Sequence, residues 1–173
     1  MKYLLLAALV SLATGCSQWP NGTDTRMNWW QCNSGPIQVY NATPFDSTGK
    51  YEYPVHLGQP LIMQMNINNP RNIYTKPNLR DTINIWEWDT KNCGWTTIPT
   101  LGLLNNQDAC ANGISCPVNV GKQWLKVVID FTPYKAIIGL LQDNTAYQIE
   151  YSLLDKASGD KLCLMFQARA YIH

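Results

Sequence analysis

From Ile37 to the end of the chain, apolar side chains recur at every second position, in short runs separated by Asn, Asp, Gly and Pro. A period of two is the geometry of a β-strand with one face buried, whereas a helix needs a period near 3.6. The runs read as strands are 37–41, 51–56, 61–68, 82–88, 124–131, 147–155 and 161–171, with a shorter one at 95–98. That many short strands without intervening helical patterns predict an all-β fold, a two-sheet immunoglobulin-like sandwich.

Alternation also tells which face looks inward. Leu61, Met63, Met65 and Ile67 oppose Gln64, Asn66 and Asn68, while Leu125, Val127, Ile129 and Phe131 oppose Lys126 and Asp130. Tyr147, Ile149, Tyr151 and Leu153 form a third inward set, and Leu164, Phe166, Ala168 and Ala170 a fourth. The run 82–88 is ambiguous, because Ile83 and Ile85 share a face with Glu87 while Trp86 and Trp88 share the other. Residues 133–143 are apolar without alternation and predict a helical turn or a loop over the core. With 173 residues, 46% hydrophobic, the chain is long enough to bury one full core, and no repeat or linker divides residues 16–173.

The N-terminus begins with the basic Met1-Lys2, continues with an apolar stretch from Tyr3 to Ala13, and reaches small residues at Ala13-Thr14-Gly15. This is the layout of a secretory signal peptide over residues 1–15, too short to cross a bilayer as a helix. Ala-Thr-Gly-Cys ending at Cys16 also loosely matches a bacterial lipoprotein box, with Ala13 where Leu is favoured. Export implies a secreted protein, extracellular or lysosomal, and gives meaning to two glycosylation sequons at Asn21 and Asn41.

Export also makes disulfides the default for the six cysteines, whose spacing lacks paired zinc knuckles. Cys110 and Cys116 bracket Asn112-Gly113, a turn signal that can bring their sulfurs together. Cys32 and Cys163 can close a very long loop between the two ends of the mature chain. Cys93 pairs with Cys16 if the signal is cut after Gly15; a later cut leaves Cys93 as an odd thiol, buried or paired between chains.

Net charge is +1, from 13 basic and 12 acidic residues, with no Lys/Arg run, which disfavours nucleic acid as a partner. The only histidines are His56 and His173, and no GxSxG, HExxH, P-loop or GxGxxG motif occurs, so neither an enzyme nor a metal or cofactor site is expected. Asp81, Glu87, Asp89, Asp130, Glu150 and Asp155 read as scattered surface acids. What remains is apolar material, with seven Trp, nine Tyr and five Met; flexible side chains such as Met63, Met65 and Met165 suit irregular ligands.

The segment Cys110-Ala-Asn-Gly-Ile-Ser-Cys116-Pro117-Val118, then Tyr147-Gln-Ile-Glu-Tyr-Ser-Leu-Leu-Asp155, then Leu162-Cys163, resembles the ML lipid-recognition family, to which the Niemann-Pick type C cholesterol carrier and the mite group-two allergens belong. Cys32, Gly35 and Val39-Tyr40-Asn41-Ala42-Thr43 extend the likeness over roughly residues 30 to 173. The resemblance implies pairing of Cys32 with Cys163 and of Cys110 with Cys116, and a hydrophobic cavity between the sheets. Three departures stand out: Thr43-Pro44-Phe45-Asp46 replaces a further local bridge of the family, Cys93 is extra, and residues 133–146 are longer than the matching loop at the pocket rim. Family position and strand parity together nominate Met63, Met65, Leu125, Val127, Ile129, Phe131, Ile149, Tyr151 and Phe166 as lipid-binding, with Ile98, Leu103 and Ile138 at the rim.

The resulting expectation is a monomeric carrier that sequesters and transfers a sterol, phospholipid or fatty acid in an inter-sheet cavity, with a membrane lipid acceptor or receptor as a further partner. The alternative is a secreted recognition module with a filled core and exposed aromatics around Trp29, Trp30 or Trp95, binding protein or glycan.

Overall fold

The computed structural model describes residues 15–173; the signal sequence falls almost wholly on residues 1–14, outside the described residues. Ten strands make two sheets. β1 (Asn28–Gln31), β10 (Lys161–Tyr171), β9 (Thr145–Asp155), β5 (Leu79–Asp89) and β6 (Gly94–Ile98) lie side by side in that order, with β3 (Val55–His56) added to β10 and β7 (Gln107–Asp108) added to β5. The facing sheet has three strands, in the order β2 (Gln38–Phe45), β4 (Leu61–Asn69) and β8 (Gly121–Ile129). Every pairing is antiparallel except β3 with β10. This is the two-sheet, immunoglobulin-like sandwich expected from the alternation.

The core lies between the sheets and is built from the predicted parities. Met63, Met65 and Ile67 of β4, Leu125, Val127 and Ile129 of β8, and Ile149, Tyr151 and Leu153 of β9 are all buried. β5 resolves its ambiguity by turning Ile83 and Ile85 inward, leaving Trp86 and Trp88 on the outer face. In β2 the inward positions shift from Val39 to Ala42 and Pro44, because a bulge between Val39 and Asn41 re-phases the strand. The broken alternation hid the strand's second half, since a bulge inserts one unpaired residue.

Two acids depart from the sequence reading. Asp81 and Asp155 are buried, at 3% and 5% exposure. Both continue an inward parity, Asp81 two residues before Ile83 and Asp155 two after Leu153. Asp155 accepts from the Ser158 amide at 2.8 Å and hydroxyl at 2.7 Å, so it is satisfied within its turn. Asp81 is not, and is treated below. Met165 also differs: it sits on the outer face of β10, partly exposed, and takes no part in the core.

The segment after β8 contains one helical turn, α1 (Lys135–Ile138), with Ile137 buried and Ile138 partly buried against the core. Three disulfides brace the sandwich. Cys110–Cys116 closes the local turn, Cys32–Cys163 spans 131 residues and joins the segment after β1 to β10, and Cys16–Cys93 fastens the N-terminal segment to the turn between β5 and β6. No free cysteine remains among the described residues.

Candidate functional site

Inward parity brings Leu61 and Met63 of β4 and Ile129 of β8 opposite Tyr147 and Ile149 of β9, with Phe166 and Ala168 of β10 alongside. Between them lies an apolar cleft, completed by Val55, Leu57 and Met27. Of these lining residues only Met27 is partly exposed; the others are at most 8% exposed. No charged side chain lines the cleft. Its free interior volume is about 20 Å³, close to the space of one water molecule, so the sheets are packed against each other rather than held apart.

Four of the twelve nominated residues, Met63, Ile129, Ile149 and Phe166, line this cleft. Met65, Leu125, Val127, Phe131 and Tyr151 are buried in the surrounding core. Ile98, at 8% exposure, closes the end of β6 against β5, opposite Ile85. Leu103 stands out in solvent at 43% exposure, on the loop between β6 and β7 rather than at the cleft. The cleft residues not nominated fall into two groups. Leu61, Tyr147 and Ala168 share the parity of their nominated neighbours and were legible from it. Val55 lies in the predicted run 51–56, whereas Met27 and Leu57 fall outside every predicted strand, so only the fold reveals those two.

The end of the sandwich above the cleft is sealed by residues 131–144. Of this segment, Phe131 and Ile137 are buried in the core. The Tyr147 phenol, whose ring lines the cleft, hydrogen-bonds the backbone of Gln142 in both directions. Asp143 accepts from the Ile172 amide at 2.8 Å, and Asn144 accepts from the Arg169 guanidinium at 2.7 Å. Burial pushes the Tyr147 phenol up from its ordinary pKa, which keeps it protonated and able to donate.

The sequon residues Asn21 and Asn41 are both exposed; the Asn21 side-chain amide also donates to Gln167 at 2.8 Å. Of the aromatic positions weighed for a recognition surface, Trp30 is 41% exposed, whereas Trp29 packs against the core and Trp95 lies edge-on to Trp88 at 5.2 Å. Trp124 adds a second exposed indole, on the outer face of β8, at 60%. His56 is occupied with Glu52 at 2.6 Å and stacks on Tyr171. Among the described residues no cluster of His, Cys, Asp and Glu has the arrangement of a metal site.

No family model matches this chain, and no curated protein does. Among solved structures the chain is similar to a Niemann-Pick type C2 protein from the Japanese carpenter ant, with a TM-score of 0.46 and 11% identity over 83% of this chain and 98% of that one.

Proposed function

We propose that the protein is a secreted lipid carrier that takes a single acyl chain, or a lipid of similar girth, between its two sheets without transforming it. The observation that supports this is the cleft lined by Met27, Leu61, Met63, Tyr147, Ile149 and Phe166, apolar throughout and most open at Met27. A free volume of about 20 Å³ cannot hold an acyl chain as it stands. Entry therefore requires Met27 and Met63 to swing aside and the three-stranded sheet to separate from its partner. Thioether side chains with three rotatable bonds are suited to the first movement. Each methylene buried contributes about 0.8 kcal/mol, so a dozen offset the cost of opening and of immobilising the chain. The disulfides fit an oxidising destination, and the resemblance described above agrees with lipid as cargo.

Fluorescence titration with cis-parinaric acid, on protein stripped of co-purified lipid, tests this reading. Saturable enhancement is expected, weakened at least tenfold by Met63→Trp, which fills the cleft. Absence of enhancement, together with no lipid in an organic extract of the recombinant protein, defeats it. That outcome favours the alternative of a recognition module, which the tight core and the exposed Trp30 and Trp124 support.

A further inference from the structure

A second cavity, of about 390 Å³, lies at the seam between the sheets, walled by Asp81 and Ile83 of β5, Gln107 of β7, Val128 of β8 and Tyr134. It is more than ten times roomier than the apolar cleft, and its chemistry is different. Asp81 is set into its wall, with the carboxylate oxygen Oδ1 fully buried and without any hydrogen-bond partner. A carboxylate oxygen that accepts nothing while removed from water is costly, so it requires an explanation.

We propose that this cavity binds an organic ammonium group carried on a short apolar body, with the Asp81 carboxylate as its counter-ion. The sign follows from the walls. Asp130 adds a second carboxylate, and no Lys, Arg or His lines the cavity. The amide of Gln107 is already spent, its oxygen accepting from the Tyr134 phenol at 2.9 Å and its nitrogen donating to the Leu103 carbonyl. Asp130 Oδ1 is committed to Thr132, which leaves Asp81 as the buried acceptor without a donor. A bare metal ion does not fit, because Ile83, Leu104, Val128 and Pro133 make the rest of the wall apolar. An alkyl body against those side chains, an ammonium on Asp81 and the Tyr134 ring beside it satisfy every wall.

The cavity is also held open by construction. The Gly113 carbonyl accepts from the Val128 amide at 3.0 Å, and a Cβ at Gly113 would lie 2.1 Å from the Val128 carbonyl oxygen. The Cys110–Cys116 bridge closes this turn, and Ile114 within it pairs with Val127 of β8. The wall thus keeps its shape without a ligand, which is how binding sites avoid paying for organisation at the moment of capture.

Charge on Asp81 sets the pH range. Its burial raises the carboxyl to about 6, helped by Asp108 on β7 and opposed by the adjacent Arg80. The other titratable groups facing it are the buried Tyr151 phenol on β9, which stays protonated, and Asp130 and Tyr134 across the cavity. An alkylammonium remains charged throughout, so affinity follows Asp81 alone.

Isothermal titration calorimetry of the whole protein with hexylamine, hexanol and hexanoate at pH 7.5 tests the assignment. Hexylamine is expected to bind at least tenfold more tightly than hexanol, hexanoate not to bind, and hexylamine to weaken about tenfold at pH 5 as Asp81 takes up a proton. Asp81→Asn should lose the preference for hexylamine over hexanol while keeping its thermal transition. Equal binding of amine and alcohol, no binding of hexylamine, or an unchanged preference in a folded Asp81→Asn protein overturns the proposal. Should that variant fail to fold, the wild-type comparison decides: hexylamine affinity unchanged between pH 7.5 and pH 5 overturns it equally. The proposal does not rest on the lipid reading, since the preference for amine over alcohol and its loss in Asp81→Asn report the acid, whereas cis-parinaric acid reports the apolar cleft.

Discussion

The phenol of Tyr147 holds both backbone polar groups of Gln142, accepting from its amide at 2.6 Å and donating to its carbonyl at 2.8 Å. The same ring forms part of the cleft wall, so one side chain couples the sealing segment to the space beneath it. Tyr147→Phe keeps the ring and removes the clamp. Removing these two part-buried hydrogen bonds should cost about 1 kcal/mol in urea unfolding. It should also speed amide exchange at Gln142 and the uptake rate of cis-parinaric acid; a variant with faster exchange and unchanged uptake would show that the lipid enters elsewhere.

The disulfides differ in what they restrain. Replacing both members of Cys32–Cys163, which closes a span of 131 residues, by Ser should cost about 5 kcal/mol on the chain-entropy account. The same change at Cys110–Cys116, a span of 6, should cost about 2 kcal/mol. Denaturant midpoints of the two double variants check the order, and a larger loss for the short bridge would mean that it holds cavity geometry rather than chain entropy.

Gly113 has a φ of +122° and touches the Val128 carbonyl where a methyl group would have to sit. Gly113→Ala should therefore destabilise by more than about 2 kcal/mol, through left-handed strain and displacement of β8 together. Differential scanning calorimetry reads the loss. Gly49, with a φ of +82° but nothing within 4 Å, provides the comparison: Gly49→Ala should suffer the backbone term alone, about 1 kcal/mol.

Asp81 leaves a signature in the pH dependence of stability. Its folded pKa of about 6 stands above the ordinary value of 3.8, so the native state binds more protons than the unfolded state between those limits. Stability from this group is full below pH 4 and is lost as pH rises to 6. Asp81→Asn should consequently gain stability relative to wild type on going from pH 4 to pH 7.5, on the order of 1–2 kcal/mol. Parallel urea curves at the two pH values measure it; a difference that does not change with pH would mean that Asp81 titrates normally.

Much of this fold is legible in the sequence because its strands bury one face and expose the other. The run 161–171 coincides with β10, and Leu61–Asn69 is predicted to within one residue. β1 and β7 escape notice for a physical reason: Asn28–Gln31 and Gln107–Asp108 are too short or too polar to alternate, and are ordered by the strands they join, β10 and β5. The pairing of Cys110 with Cys116 is local and readable from its turn, and the Cys16–Cys93 bond is the pairing expected for cleavage after Gly15, which the structure joins across 77 residues. The acids are the instructive failure. Taking β5 to begin at Thr82 left Asp81 outside the strand among the surface acids, while the extended strand carries it inward two residues before Ile83. Alternation predicted the direction, and the chemistry of a carboxylate argued wrongly against it.

β1 runs antiparallel to β10, with Asn28 beside Gln167 and Met27 at the cleft beside Ala168. The polypeptide thus enters and leaves the larger sheet at one place, the place where water reaches the cleft. A fusion partner after His173, just past β10, would stand near that doorway and act as a steric shutter, whereas Cys16 is carried to the turn between β5 and β6 by its bond to Cys93. The turn at 156–160, at the opposite end of β10, is where a label or an inserted domain would leave traffic through the cleft unobstructed.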